Sequence, residues 1–325
     1  MFVSIGLRFE AQVEAMNMVE TVGNYARHRK VPYIIYNEEE GRYRVVYVPA
    51  ISGESIAHAY QHLLAQEAKE AGLNVCNECL SGEFYKSMNI NHAREKGVAE
   101  NEEAKSAEEK IVKSCVVEDV GGFLMAEKIQ AKRTSVFQVS YAIPVKSAIY
   151  GSILEPQLHA RQSLTPGGKE KTEKASEQMI FYVEVGTAVY GLIFNINLDR
   201  IGVSSLEPGK KIVDENERKK RMEVAIKALI RMISSQQFGA KLSRFFPNAK
   251  IKTLFVAISE KPFVVSSPLE DNFMEETLRR ARTLKDVFNE EIRLMAYSDE
   301  LEIPEGVERF ETPEEVLKNV LEAVK

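Results

Sequence analysis

The sequence predicts an α+β fold, and three observations carry that expectation. Strand-type alternation and helix-type apolar spacing both occur along the chain. The two kinds of segment follow one another irregularly, without the βαβα rhythm of a parallel-sheet protein. With 325 residues, 44% of them apolar and 28% charged, the chain can bury a sizeable core and has nothing of a collagen-like, low-complexity or disordered composition.

Val3, Ile5, Leu7 and Phe9 alternate with Ser4, Gly6, Arg8 and Glu10, which predicts a half-buried strand. Residues 43–48 read as another. Ser52 caps a helix over roughly 53–71, where Ile56, Tyr60, Leu63, Leu64 and Ala71 share a face and Gly72 supplies the stop. Polar residues dominate 74–114, including Glu100, Glu102, Glu103, Glu108 and Glu109, so an insertion outside the main core is expected there. After Gly121-Gly122, residues 135–145 alternate again, and 179–197 supply one or two strands around Gly186 or Gly191. The span between them carries Pro156, Pro166, Gly167, Gly168 and many lysines, too long and polar for a tight connection. Asp214 and Glu217 open the strongest helix, whose Met222, Ala225, Ile226, Leu229 and Ile233 share a face as far as Gly239. A strand at 252–259, a helix at 271–289 with Arg279 and Arg280 on its solvated face, and a strand at 292–297 follow. Thr312-Pro313-Glu314-Glu315 opens a last helix that turns Val316, Leu317, Val320, Leu321 and Val324 inward.

The formal charge of −5 conceals an asymmetry. Residues 299–325 hold nine acids and three bases, which leaves 40 bases against 39 acids in the rest, a balance that can still present a basic stripe to nucleic acid. Only six acids are Asp, the others are Glu, and Trp is absent; this leans toward a thermophilic source. The opening MFVSIGLRFE lacks the features of an export signal, and the long apolar stretch 180–198 is interrupted by Glu184, Asn195 and Asn197, so a soluble cytoplasmic protein without a membrane partner is expected. Cys76 and Cys79 form a C-x-x-C pair, with His92 and Cys115 as conceivable further zinc ligands. Two ligands placed by local spacing leave zinc, a disulfide or a silent pair open.

No phosphate loop, dinucleotide fingerprint, nucleophile elbow or H-E-x-x-H occurs, and the six Asp are scattered, so catalysis loses its usual support. No cofactor is implied. The remaining signal is a series of short segments in which Arg, Lys, His, Ser and Asn stand beside glycine or proline: GNYARHR from Gly23, ISGESIAHAYQ from Ile51, DVGGF from Asp119, KRTS from Lys132, LHAR from Leu158 and FGAKLSRFFP from Phe238. Together they can grip a phosphate backbone, because cations neutralise it, hydroxyls and amides donate to its oxygens, and glycine admits the main chain close to it.

At these residues the chain resembles the backbone subunits of the archaeal type I-A CRISPR Cascade complex, the seventh family of CRISPR-associated proteins. The resemblance spans nearly the whole chain. It implies a modified RNA-recognition-motif (ferredoxin-like) palm formed by residues 1–72 and 115–325, an inserted helical finger at 73–114 and a thumb-like loop at 147–178. It also implies copies assembled along a CRISPR RNA beside other Cascade subunits, with target DNA read through guide pairing. Carried over residue by residue, Asn24, His28 and Arg29 would form a first RNA-contacting loop, with Ser52 and His58 at the start of the palm's first helix. Lys132, Arg133, Ser135, Lys241, Ser243 and Arg244 would add backbone contacts, and His159 and Arg161 would lie in the thumb. The competing expectations are a type III-like subunit that cuts target RNA with Asp119, and a stand-alone nucleic-acid-binding regulator.

Overall fold

The computed structural model describes residues 1–126, 128–161 and 179–324. Strand β1 (Phe2–Glu14) is followed by the hairpins β2–β3 (Met18–Val22, Tyr25–His28) and β4–β5 (Lys30–Asn37, Arg42–Pro49), then by helix α1 (Gly53–Glu70). Helices α2 (Asn77–Leu80), α3 (Ile90–Arg94), α4 (Ala104–Ser114) and α5 (Val116–Gly121) lead to short strands β6 (Phe123–Leu124), β7 (Lys132–Arg133), β8 (Phe137–Val139) and β9 (Ile143–Pro144). The long strands β10 (Ile153–Arg161) and β11 (Met179–Asn197) precede α6 (Glu215–Ser235), α7 (Leu242–Phe245) and β12 (Asn248–Ser259). The chain closes with α8 (Phe273–Phe288), β13 (Arg293–Ser298), β14 (Glu308–Arg309) and α9 (Pro313–Val324).

The heart of the main sheet runs β12-β1-β11-β8, each pair antiparallel. With α1 between β1 and β8 and α6 between β11 and β12, this is the βαββαβ arrangement in spatial order 4-1-3-2, the ferredoxin-like topology. β13 and β14 extend one edge; β3 and β2 extend the other. Helices α1, α6 and α9 pack on one face around Ile5, Leu7, Phe9, Leu64, Ile226, Leu229, Val256 and Leu317. The Tyr60 hydroxyl donates to the Ala225 carbonyl at 3.1 Å and stitches α1 to α6, while its ring meets Phe137 and Phe194 edge-on. Residues 179–197 make one strand and not two, with both of its glycines inside it.

β1 is buried on both faces, where alternation predicted one. The second face lies under α8 and the segment before it: Phe273 and Met274 join Phe255, Ala257, Phe263, Val265 and Ala296. Arg8 is therefore enclosed. Its Nε donates to the Pro268 carbonyl at 2.6 Å, and its guanidinium reaches Asp271 at 2.7 Å and Glu300 at 3.4 Å. Alternation reports side-chain polarity, and a charge that finds partners from a distant segment is buried all the same.

The 73–114 region is less separate than its polarity suggests. Its flanks are rooted in the main core through Leu73, Cys79 and Cys115, while Ala93, Ala107, Ile111 and Val112 form a second cluster with Phe123, Met125, Ile212 and Val213. The first half of the 147–178 span also differs from a free loop. Residues 153–161 form β10, paired antiparallel along β11 from Ile153 opposite Thr187 to Arg161 opposite Met179. The rest of the expected thumb, 162–178, and the side chain of Arg161 lie outside the described residues. Among those residues no helix is long and apolar enough to cross a membrane.

Candidate nucleic-acid interface

Three of the motif segments meet at the turn that ends β1. The Asn17 side-chain oxygen accepts from Arg29 Nε at 3.0 Å and from the Ser52 backbone N–H at 2.6 Å, and the Asn17 carbonyl accepts from the Arg29 N–H at 2.9 Å. One residue earlier, the Met16 carbonyl accepts from the Ala240 N–H at 2.8 Å. Gly239 makes that approach possible: its φ is +101°, and a Cβ there would lie 2.5 Å from the Met16 Cβ. GNYARHR, ISGES and FGAKLSR, more than two hundred residues apart at the extremes, are thus fixed to one dipeptide. Nothing local in the sequence marks Asn17.

The cationic and polar residues at this junction divide into anchored and free. Lys241, in left-handed conformation, Ser243 and Arg244 are exposed, and the side chains of Lys241 and Arg244 make no hydrogen bond or ion pair with another described residue. Arg29 is half-buried, bonded to Asn17 and 5.8 Å over the Tyr141 ring. Asn24 is exposed at the β2–β3 turn and donates to the Ile180 carbonyl. His58 is exposed on α1 and, with Ser55 and His62, faces Gln237, Gly239, Ala240 and Leu242 across a cleft of ≈ 500 Å³. Partial burial, with His62 nearby, holds its pKa below the usual histidine value. A neighbouring cleft of ≈ 660 Å³ is lined by Val19, Tyr25, Arg27, Arg29, Lys30 and Glu184.

His28 and Ser52 belong to the frame and not to the surface. Tyr25–His28 is a strand, so the expected first loop contracts to the turn at Gly23 and Asn24. The His28 Nε2 lies 2.6 Å from Glu14 Oε1 with both side chains wholly buried, and its N–H donates to Glu184. Burial alone would lower its pKa, but the close Glu14 carboxylate outweighs it, and the net shift is upward. Glu14 also accepts from the Met16 N–H at 2.7 Å and from the Tyr190 hydroxyl at 2.7 Å. Ser52 is buried and caps α1, its Oγ accepting from the Ser55 N–H at 3.2 Å. His159, on β10, stacks on Phe181 and meets Phe245 edge-on, which brings LHAR against FGAKLSRFF.

KRTS and DVGGF meet at a different place. Gly122, with φ +71°, lies so close to this segment that a Cβ would fall 2.4 Å from the Arg133 carbonyl. Lys132 is exposed, but Arg133 is not available to a phosphate. Its side chain is 1% exposed, pairs with Asp119 and with Glu108 at 3.3 Å, and donates to the carbonyls of Asp119, Arg200 and Val203. Ser135 turns its hydroxyl onto the carbonyls of Phe137 and Val120. Asp119 sits in α5, not in a turn; it also accepts from Arg221 Nη1 at 2.7 Å and from the Gly202 N–H. Both of its oxygens are engaged and none faces solvent, so the carboxylate that an RNA-cutting mechanism would need is locked in the frame.

A family model described as CRISPR-associated negative auto-regulator DevR/Csa2 matches residues 5–278. The chain belongs to the DevR/Csa2 family. Among the similar proteins, the CRISPR-associated aCascade subunit Cas7/Csa2 2 of Saccharolobus solfataricus is 34% identical over 97% of this chain and 98% of its own length. A second protein of that organism, CRISPR-associated protein Cas7/Csa2 1, is 34% identical over 81% of this chain and 80% of its own. A chain of a solved CRISPR RNA-guided surveillance complex, pre-nicking, is similar over the full length of both chains, with a TM-score of 0.56 at 12% identity. A chain of another CRISPR RNA-guided surveillance complex gives 0.52 at 13%. These two likenesses show the fold that the strand order describes.

Proposed function

We propose that the chain is a CRISPR RNA-binding backbone subunit of a type I-A Cascade complex in the cytoplasm, holding the guide by its backbone and carrying out no catalysis itself. One observation carries the reading: three distant segments are bound to Met16–Asn17 so that Lys241, Ser243 and Arg244 stand together in solvent, their side chains without a hydrogen bond or ion pair to another described residue, beside Arg29 and His58. Ordinary RNA-recognition motifs stack bases on exposed sheet aromatics. Here α8 and its preceding segment occupy the face of β1 and β12 opposite α1 and α6, so an RNA has to be held by loops. In this reading target DNA is read by the guide. The solvent side of the β4–β5 hairpin, with Ile34, Tyr36, Tyr43, Val45 and Tyr47 all more than half exposed, supports further copies or other subunits packing alongside.

The test is charge reversal. K241E/R244E is expected to weaken guide binding and flatten its salt dependence by about 0.7 in log–log slope per lost phosphate contact, whereas R279E on the exposed face of α8 leaves both unchanged. Equal effects of the two variants would overturn the assignment. The family description favours one second reading, a regulator acting alone. Protein that purifies without small RNAs of uniform length, and does not form longer assemblies on added guide, would support it.

A further inference from the structure

We infer that Cys76, Cys79, Cys115 and Glu118 form a structural zinc site that fastens the root of the 73–114 insertion to the palm. Sequence spacing alone placed two of these ligands. The fold supplies the other two: Cys76 and Cys79 flank the start of α2 at i and i+3, and Cys115 and Glu118 do the same at α5. The Asn74 carbonyl accepts from the Val116 N–H at 2.9 Å and holds the two segments side by side. The three Sγ atoms and a carboxylate oxygen of Glu118 all lie within 4.8 Å of one another. A tetrahedron with Zn–S of about 2.3 Å has S···S edges of roughly 3.8 Å, so closing on an ion needs movements of under about 1 Å.

Two further observations point to a ligand. The Oε2 atom of Glu118 is buried with no hydrogen-bond partner, in a side chain that is itself wholly buried. A buried carboxylate with one oxygen unpartnered and the other 3.8 Å from the Cys76 Sγ is costly unless a cation joins Lys96 in balancing it. The charge balance also fits. Three thiolates, one carboxylate and a divalent ion sum to −2, and two ammonium groups stand by. Lys96 Nζ, on a side chain 2% exposed, lies 2.8 Å from Glu118 Oε1, and Lys86 Nζ donates to the Gly121 carbonyl at the end of α5. His92 is not a ligand: its Nδ1 is bonded to Glu78 and its ring stacks on Tyr85. A sulfur-rich set with one carboxylate selects zinc over magnesium or calcium. Cys79 and Cys115 are sealed, while Cys76 is partly open and offers an entry path.

The experiment is a metal assay on the full chain purified with reductant and without chelator. Elemental analysis is expected to give one zinc per chain. Exchange into cobalt should produce tetrahedral d–d bands with thiolate charge transfer that weakens in C115S. K96A keeps all four ligands but removes the ammonium that holds Glu118, along with its bonds to the His92 carbonyl and Glu78, and should lower metal affinity about 10- to 100-fold. Reduced wild-type protein that holds no zinc and yields no tetrahedral cobalt spectrum would overturn the site, as would a Cys76–Cys79 disulfide that persists under reductant. The wild-type titration decides the matter even if a cysteine variant does not fold.

Discussion

Asn17 is where single-residue chemistry has the widest reach. Its side-chain oxygen accepts from Arg29 and from the Ser52 backbone, and both donors lose that acceptor if it is removed. Asn17→Ala is expected to destabilise the protein by about 1–3 kcal/mol in urea unfolding and to loosen Arg29, lowering RNA affinity more than an alanine at exposed Ser243 does. His28 adds a pH dependence. Its folded pKa is raised above the unfolded value by Glu14, so the charged pair stabilises fully below the ordinary histidine value of about 6.5 and the contribution is lost as pH rises through the higher folded pKa. An NMR titration of the His28 ring should show that raised value, and a midpoint below the unfolded one would refute the pairing. Asp119→Asn is expected to cost about 1–3 kcal/mol, because Arg133 and Arg221 each lose a buried charged acceptor and keep only Glu108 and Glu217 as ionic partners. If that variant were fully stable, the network would be decorative. The residue types at the interface were legible in the sequence; their direction was not. GNYARHR turns Arg27 outward and His28 inward, KRTS turns Lys132 outward and Arg133 inward, and no local pattern tells Lys132 from Arg133.

At the scale of elements, the four helices α1, α6, α8 and α9 are legible because apolar spacing and caps are local signals, whereas the shorter α2 to α5 and α7 are not. Ser52, Asp214 and Thr312 all accept from an N–H three residues on, as their positions implied. Strands fared less evenly. The hairpin strand β4 went unread because its solvent side carries Ile34 and Tyr36 as well as polar residues, which blurs the period of two. β1 was found but assigned one buried face, since its second cover, α8, lies some 260 residues away. That cover is testable: Phe273 is fully buried against Phe255, so Phe273→Ala is expected to cost about 3–5 kcal/mol and to lower Tm by several degrees. A negligible change would mean that α8 is only loosely held.

For the molecule as a whole, local reading reached the α+β class, and the resemblance supplied the palm. The strand order could not be read locally, because the 4-1-3-2 pairing joins segments whose registers are set by tertiary contacts. Strand β1 lies along its length between β11 and β12, with Phe2 opposite both Asn197 and Ser259. During translation this strand emerges before either partner, and the nearer of the two begins at Met179. At about 5–20 residues per second, roughly ten to forty seconds pass before pairing is possible. Val3, Ile5, Leu7 and Phe9 spend that interval on a nascent chain with α1 but neither strand partner to cover them, so ribosome-bound fragments that stop before β11 are expected to be clients of chaperones.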